Sequence, residues 1–211
     1  MLDFSLYLIT DRRQTAGRTL PAVVADALRG GLRAVQLREK DLDGCQLFKL
    51  AGELREITRK HGARLLINDR VDVALAVGAD GVHLGKAGLP VSAARRVLGP
   101  GMLIGYSAHS LEEALQVQED GADFVTLGPV YQTPSKAAYG DPLGLPAVAA
   151  AARTLTIPVF ALGGVTAGSV DEILGAGIHG VALISAIIAA TNPAAETELL
   201  LRTIACHAKP S

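Results

Sequence analysis

The chain has 211 residues, of which 49% are hydrophobic and 19% charged, and 20 Lys and Arg residues face 21 Asp and Glu residues. A chain of this length and apolar content can bury one full core, which excludes a disordered protein and favours a single domain. Because positive charge is not in excess, a protein that binds along a nucleic-acid duplex is disfavoured, and we expect no nucleic-acid partner.

Two features of the sequence bear on its cellular location. Cys45 and Cys206 lie far apart, in neither a C-x-x-C nor a metal-ligand spacing, so we expect two free thiols. Asp3 comes early, and charges at 11–13 interrupt the first apolar stretch, so no signal peptide is predicted. Both features favour a cytoplasmic protein.

Eight short apolar runs along the chain are predicted to be strands. Four of them end a repeated frame, Gly-x-x-x-Val-x-Leu, at Gly31–Leu37, Gly78–Leu84, Gly121–Leu127 and Gly177–Leu183. The other four are Leu6–Thr10, Leu65–Ile67, Leu103–Tyr106 and Val159–Leu162. In each frame a Gly ends a helical pattern before a short apolar run, which is typical of a helix leading into a strand of a parallel sheet.

The segments between the strands have helical patterns. Apolar residues recur at helical spacing over 47–57, and Ser110–Glu113 has the Ser-x-x-Glu form of a capping box. Strands that alternate with helices and are apolar on both faces indicate a parallel sheet covered on both sides.

Eight such units in about 200 residues predict an α/β protein with a (β/α)8 TIM barrel. We expect one domain over 1–211, with 190–211 as the closing C-terminal helix and tail. An open, doubly wound sheet is the alternative, but no Gly-x-Gly-x-x-Gly follows the first strand.

The stretch Ile173–Ala195 resembles a membrane span, because it has no Asp, Glu, Lys or Arg and is long enough to cross a bilayer. However, it contains three Gly residues and an Asn192-Pro193 turn, and Val181–Ile184 is typical of a buried strand. We therefore expect no membrane association.

Polar residues gather where the predicted strands end, which is where barrel enzymes place their chemistry. They are Thr10, Asp11, Gln36, Arg38, Lys40, Asn68, Asp69, Arg70, His83, Ser107, His109, Thr133, Ser135, Lys136 and Ser185. Arg38, Lys40 and Lys136 would bring three cations near the Asp69 carboxylate. This combination predicts an anionic substrate and a divalent metal that bridges phosphates.

A second anion site is predicted after strands seven and eight. Gly163 and Gly164 follow the seventh strand, and Ser185 follows the eighth. Barrels often bind a phosphate between these two loops through backbone N–H groups.

Motifs over most of the chain carry a family resemblance. They are Tyr7-Leu8-Ile9-Thr10-Asp11, Gln36-Leu37-Arg38-Glu39-Lys40, Ile67-Asn68-Asp69-Arg70, Gly81-Val82-His83-Leu84-Gly85, Gly105-Tyr106-Ser107-Ala108-His109-Ser110, Gly128-Pro129-Val130-Tyr131, Thr133-Pro134-Ser135-Lys136 and Gly163-Gly164-Val165. In this order they resemble the thiamine phosphate synthase and TenI family. The resemblance implies a barrel and a transferase that joins hydroxymethylpyrimidine diphosphate to hydroxyethylthiazole phosphate, with loss of diphosphate.

The resemblance also implies roles for individual residues. The pyrimidine diphosphate would be held by Gln36, Arg38, Lys40, Asn68, Ser107 and Lys136, of which Arg38, Lys40, Ser107 and Lys136 would be catalytic. The thiazole phosphate would be held by Thr133, Pro134, Ser135, Gly163, Gly164, Ile184 and Ser185. Asp69 would bind Mg2+. Small molecules are the expected partners, and a homodimer is left open.

One position departs from the synthase pattern. The family has a second carboxylate for Mg2+ three residues after Gly85, and this chain has Gly88 there, preceded by Lys86. Either Asp69 alone holds the ion or Lys86 supplies part of its charge.

The departure keeps two other functions open. One is a TenI-type thiazole tautomerase, an isomerase that needs neither diphosphate nor metal and in which His83 or His109 could act as the acid–base group. A known form of that enzyme has a catalytic His where this chain has Pro129, so this position instead favours the synthase. The other function is a binder of thiazole phosphate without catalysis.

Overall fold

A computed structural model describes residues 2–133 and 141–207 of the chain. The strands are β1 (Leu6–Ile9), β2 (Ala34–Leu37), β3 (Arg64–Asn68), β4 (Gly81–Leu84), β5 (Leu103–Ala108), β6 (Phe124–Leu127), β7 (Val159–Leu162) and β8 (Gly180–Leu183). The α-helices are α1 (Leu20–Arg29), α2 (Gly44–Lys60), α3 (Val71–Val77), α4 (Val91–Leu98), α5 (Leu111–Glu119), α6 (Gly144–Thr154), α7 (Val170–Gly175), α8 (Ser185–Ile188) and α9 (Pro193–His207).

All eight strands are parallel and form a closed barrel in chain order. The pairing of Leu6 in β1 with Val181 in β8 closes the sheet. The predicted (β/α)8 barrel is therefore confirmed, and the open doubly wound sheet is wrong.

A cluster of aromatic rings fills the amino-terminal half of the barrel. The centroids of Phe4 and Phe160 are 5.4 Å apart, and those of Phe124 and Phe160 are 5.5 Å apart. Tyr7 packs edge-on against Phe124 at 5.5 Å. All four side chains are buried, so the barrel is a packed core below its carboxyl-terminal rim and not a channel.

A glycine on β5 makes room for these rings. A Cβ atom at Gly105 would lie 2.5 Å from His83 Nδ1 and closer still to the ring of Phe124. A larger residue here would have to displace an aromatic ring or His83, because neither can move within a packed interior.

The helices bury their apolar faces against the outside of the barrel. In α2, Leu47, Ala51 and Leu54 are buried at the predicted helical spacing. The C-terminal helix α9 packs against α1 and α7.

The predicted capping box at α5 forms only in part. Ser110 Oγ accepts the expected hydrogen bond from the N–H of Glu113 at 3.1 Å. The Glu113 carboxylate, however, accepts from the N–H of His109 at 2.8 Å and from the Tyr106 hydroxyl at 2.9 Å. Glu113, which would complete the capping box, thus binds residues at the end of β5 instead.

The apolar stretch Ile173–Ala195 is divided among α7, β8, α8 and the start of α9. Within the described residues, no helix is both long and apolar enough to cross a membrane.

The packing around Gly105 yields a stability prediction. Gly105→Ala should lower the free energy of unfolding by about 1–3 kcal/mol, because the added methyl group overpacks the core. Gly52→Ala in α2 is the matched control, since nothing lies within 4 Å of its Cβ position. It should raise stability by up to about 1 kcal/mol through helix propensity. Urea denaturation measures both, and an unchanged Gly105→Ala protein would contradict the packing argument.

Candidate active site

Four polar side chains form a buried chain of contacts above the aromatic cluster. The Tyr7 hydroxyl lies 3.4 Å from His83 Nδ1, and His83 Nε2 lies 3.0 Å from Ser107 Oγ. Thr126 Oγ1 lies 3.4 Å from both His83 Nε2 and Ser107 Oγ. Tyr7, His83 and Thr126 are fully buried, whereas Ser107 is half-buried at the rim. The chain of contacts therefore runs from the core to the carboxyl ends of the strands.

The surroundings of His83 keep its imidazole neutral. Burial and, to a smaller extent, the nearby charge of Arg38 together lower the pKa of His83 to about 3. Burial also raises the pKa of the Tyr7 hydroxyl well above its usual value, so the phenol retains its proton.

Two cations follow β2 on a loop whose backbone is held firmly. The N–H of Arg38 donates to Thr10 Oγ1 at 2.9 Å, and Thr10 Oγ1 donates to Glu39 Oε1 at 2.7 Å. Glu39 is buried, while Arg38 is half-buried and Lys40 is exposed. Within residues 2–133 and 141–207, neither Arg38 nor Lys40 forms an ion pair with a carboxylate.

Arg12 ties this loop to the end of β1. Its backbone N–H and guanidinium both contact the Glu39 carboxylate at 3.1 Å, and its guanidinium also binds Asp41 at 2.6 Å. The Arg12 guanidinium holds the pKa of the Asp41 carboxyl well below its usual range. Arg12 is thus neutralised by structural carboxylates, whereas the charges of Arg38 and Lys40 remain available to an anion.

Asp69 presents its carboxylate at the end of β3 in a fixed orientation. Its Oδ2 accepts from Asn68 Nδ2 at 2.7 Å, and its Oδ1 accepts from the N–H of Gly85 at 3.1 Å. The backbone of Asp69 has a φ of 57°, a left-handed conformation that Asp adopts more readily than most residues.

Gly88 lies directly against this carboxylate. A Cβ atom at Gly88 would be 2.6 Å from Asp69 Oδ1. The position that carries the second metal-binding carboxylate in the family pattern is therefore adjacent to Asp69. Among the residues that the structure describes, no group of three His, Cys, Asp or Glu side chains could hold a metal ion.

The glycine pair after β7 packs against the loop that follows β6. Gly163 and Gly164 have φ values of 95° and 67°. A Cβ atom at Gly163 would lie 2.7 Å from Pro129 Cα, and one at Gly164 would lie 2.7 Å from Tyr131 Cβ. Local packing and backbone conformation therefore require glycine at both positions, whether or not a phosphate binds there.

The remaining predicted residues lie around the same rim or outside the described ranges. Ile184 is half-buried, and Ser185 is exposed at the first position of α8. Thr133 is half-buried at the end of the first described range. Pro134, Ser135 and Lys136 lie outside the described residues.

The two histidines proposed for the tautomerase differ in their surroundings. His83 is buried with both ring nitrogens in polar contacts. His109 is half-buried, and its Nδ1 lies 3.6 Å from a Glu113 carboxylate oxygen.

Comparison with known proteins assigns the family. The model of the thiamine monophosphate synthase family matches residues 6–187. The chain belongs to this family. A relative from Geobacter sulfurreducens, provisionally named a thiamine-phosphate synthase, is 58% identical, and the match covers 95% of this chain and 94% of the relative. The thiamine-phosphate synthase of Roseiflexus castenholzii is 44% identical, with 92% and 86% covered.

A solved structure supports the same assignment to the thiamine monophosphate synthase family. The thiamine phosphate pyrophosphorylase of Pyrococcus furiosus superposes with a TM-score of 0.89 at 36% identity, and 96% of each chain is covered. The resemblance inferred from the motifs is therefore confirmed.

Within this thiamine monophosphate synthase fold, three residues acquire roles that the sequence did not reveal. Tyr7 and Thr126 contact His83, and Glu39 anchors the loop that carries Arg38. Thr126 follows Phe124 at a spacing of two on β6, so its place on the same inner face could have been read from strand alternation. No local pattern predicts the role of Glu39, because its partner Arg12 lies 27 positions away.

The low pKa of His83 predicts a pH dependence of stability. As pH falls below about 6.5, His83 takes up a proton in the unfolded chain but not in the folded protein until about pH 3, so stability is lost on acidification. Between pH 7.5 and 5.5 this loss should be about 1 kcal/mol.

The His83→Gln variant isolates this contribution. Urea denaturation at the two pH values should show that the variant loses about 1 kcal/mol less stability than the wild-type protein. Equal losses in the two proteins would show that His83 titrates alike in the folded and unfolded states.

Proposed function

We propose that the chain is a thiamine phosphate synthase, a transferase that condenses hydroxymethylpyrimidine diphosphate with hydroxyethylthiazole phosphate to give thiamine phosphate and diphosphate. The observation that carries this proposal is the pair of cations, Arg38 and Lys40, at the carboxyl end of β2 without carboxylate partners among the described residues. The names of the relatives support the same activity.

The cations suit the bond that breaks in this reaction. Negative charge develops on the diphosphate as it leaves the pyrimidine methylene, and Arg38 and Lys40 would stabilise that charge. The Arg38 N–H donates to Thr10 Oγ1, which in turn donates to Glu39, so the backbone that carries the guanidinium is fixed. Lys136 would add a third cation.

Neutral polar groups would orient the pyrimidine diphosphate. Gln36 is 1% exposed, and its Nε2 has no hydrogen-bond partner among the described residues. A buried donor without a partner is costly, so Gln36 is suited to a ligand that accepts from it. Asn68 and Ser107 would complete this part of the site.

We infer that Asp69 would hold Mg2+ together with the substrate phosphates. One rigid carboxylate fits an ion that keeps several water ligands and is bound mainly through diphosphate oxygens. When bound, Mg2+ would neutralise charge on the diphosphate. The residues near Asp69 do not fit a fully protein-ligated ion, because Gly88 offers no side chain.

The thiazole phosphate is assigned to the ends of β7 and β8. Gly163, Gly164 and Ser185 would bind it through backbone N–H groups and the Ser185 hydroxyl, and Ile184 would lie beside it. Thr133, Pro134 and Ser135 would contact the thiazole. Under this assignment the two substrates would bind at the ends of different strands of the same rim.

The tautomerase alternative is weaker because its acid–base group is constrained. The low pKa of His83 and the contacts of both its ring nitrogens leave it poorly suited to exchange a proton with a substrate. His109 is the remaining candidate. Turnover of the two thiamine precursors would separate a synthase from a protein that only binds thiazole phosphate.

We further infer that the protein acts in the cytoplasm on small molecules. Cys45 and Cys206 are both unpaired and exposed, as expected in a reducing compartment.

The role of Arg38, which follows β2, is testable against Arg33, which precedes the same strand. Arg38→Ala should lower kcat/KM for condensation by about 100-fold or more, because the negative charge that develops on the diphosphate in the transition state loses a hydrogen-bond donor. Arg33→Ala should retain near-wild-type activity, because Arg33 precedes β2 at the opposite end of the barrel and donates to the His61 carbonyl. A steady-state assay of thiamine phosphate formation with excess Mg2+ measures both. Equal activity of the two variants would contradict the assignment of Arg38.

The missing carboxylate yields a second prediction. Gly88→Asp should lower the Mg2+ concentration needed for half-maximal rate, because it adds a carboxylate beside Asp69. Gly88→Asn is the control: in both variants the added Cβ shifts the Asp69 carboxylate, but Asn brings no compensating charge, so it should raise that concentration. Mg2+ titrations of the initial rate distinguish them. If Gly88→Asp requires as much Mg2+ as Gly88→Asn, a second carboxylate does not contribute to binding.

A further inference from the structure

We propose that Tyr7, His83 and Thr126 are positioning residues that fix the direction of the Ser107 hydroxyl, so that Ser107 donates its hydrogen to the diphosphate. The inference rests on the proposed synthase function and concerns side chains between the aromatic cluster and the rim. Three observations carry it: the contact of the Tyr7 hydroxyl with His83 Nδ1, the two contacts of Ser107 Oγ, and the burial of Tyr7, His83 and Thr126.

The first step is the contact between Tyr7 and His83. The Tyr7 phenol is protonated, and it lies 3.4 Å from His83 Nδ1. Among the described residues, His83 Nδ1 is the partner within hydrogen-bond distance of the Tyr7 hydroxyl. A buried phenol hydrogen without an acceptor is costly, so the phenol donates to Nδ1. His83 Nδ1 is then the acceptor.

The tautomer of His83 follows from this contact. A neutral imidazole carries one hydrogen, so an accepting Nδ1 places that hydrogen on Nε2. Nε2 lies 3.0 Å from Ser107 Oγ, which makes His83 the donor and Ser107 the acceptor.

Thr126 makes the second contact with Ser107 Oγ. Thr126 Oγ1 donates to Ser107 Oγ at 3.4 Å. A serine oxygen has two lone pairs and one hydrogen. With both lone pairs occupied by His83 and Thr126, the Ser107 hydrogen is directed away from the core and toward the rim.

This direction matters because diphosphate oxygens only accept hydrogen bonds. With the opposite tautomer, Ser107 would donate to His83 Nε2 and turn a lone pair toward the anion, which would repel it. The buried residues thus make a half-buried serine a dedicated donor and lower the cost of orienting it during the reaction.

Nitrogen NMR of the ligand-free protein tests the tautomer directly. In protein labelled with 15N-histidine, we expect a protonated, pyrrole-type shift for His83 Nε2 and an unprotonated, pyridine-type shift for Nδ1. The His83 signals are those missing from the His83→Gln spectrum. A protonated Nδ1 in the wild-type protein would overturn the proposal.

Tyr7→Phe tests the role of the phenol in the same spectra. The substitution keeps the ring packing against Phe124 and removes only the hydroxyl. We expect the Nδ1-protonated form of His83 to become detectable. An unchanged tautomer would remove Tyr7 from the group of positioning residues.

Kinetics test the consequence for Ser107 with two variants of His83. The amide of His83→Gln can still donate to Ser107, whereas His83→Leu cannot. We expect kcat to fall about 10- to 100-fold in His83→Leu and to recover in large part in His83→Gln, with the KM for thiazole phosphate unchanged in both. Equal losses in both variants would indicate a merely structural role and would contradict the proposal.

A double-mutant cycle with Ser107→Ala isolates the pair. In a Ser107→Ala background, His83→Leu should cost less than about threefold in kcat, because the hydroxyl that it orients is gone. A full additional loss would overturn the coupling.

The NMR result requires no turnover. An inactive wild-type protein would therefore reject the synthase function, while the spectrum would still decide the tautomer of His83.

Discussion

Closure of the parallel barrel is the constraint from which the rest of this structure follows. Because all eight strands are parallel and β1 also pairs with β8, their carboxyl ends form one continuous rim. The interior must then be filled from side chains alone, and the aromatic rings around Phe124 do so at the amino-terminal half. The inward-facing side chains of His83, Thr126 and Ser107 contact one another above the rings, where the strands meet the loops. The site is therefore where the packed core ends.

Ion pairing distinguishes the structural arginines of this protein from the cations that we propose bind the substrate. Arg55 and Arg95 are each held at 2.6 Å by an aspartate on the outside of the barrel. Arg12 is shared between Glu39 and Asp41. Arg38 lies beside this network without joining it. The carboxylates near the end of β2 thus hold the loop through Arg12 and leave the charge of Arg38 uncompensated, which an anion-binding site requires.

The sequence predicts the strands well because each barrel strand is apolar on both faces and stands between helices. It also places Arg38, Asp69 and Ser107 at one rim, since parallel strands in chain order bring their carboxyl ends together. Contacts between distant segments are not visible in a local pattern. The pairing of Glu39 with Arg12 is one example, and the diversion of Glu113 from the helix cap to Tyr106 is another, because each depends on the closed fold.

The Asp69 side chain is already held in one conformation before any ligand binds. Its backbone is already in a left-handed conformation, and both carboxylate oxygens already accept hydrogen bonds from Asn68 and Gly85. The side chain therefore has almost no rotamer freedom left to lose on binding, which removes an entropic penalty that a mobile carboxylate would face. In the proposed Mg2+ site, this preorganisation of Asp69 would offset part of the affinity that a second carboxylate would have supplied.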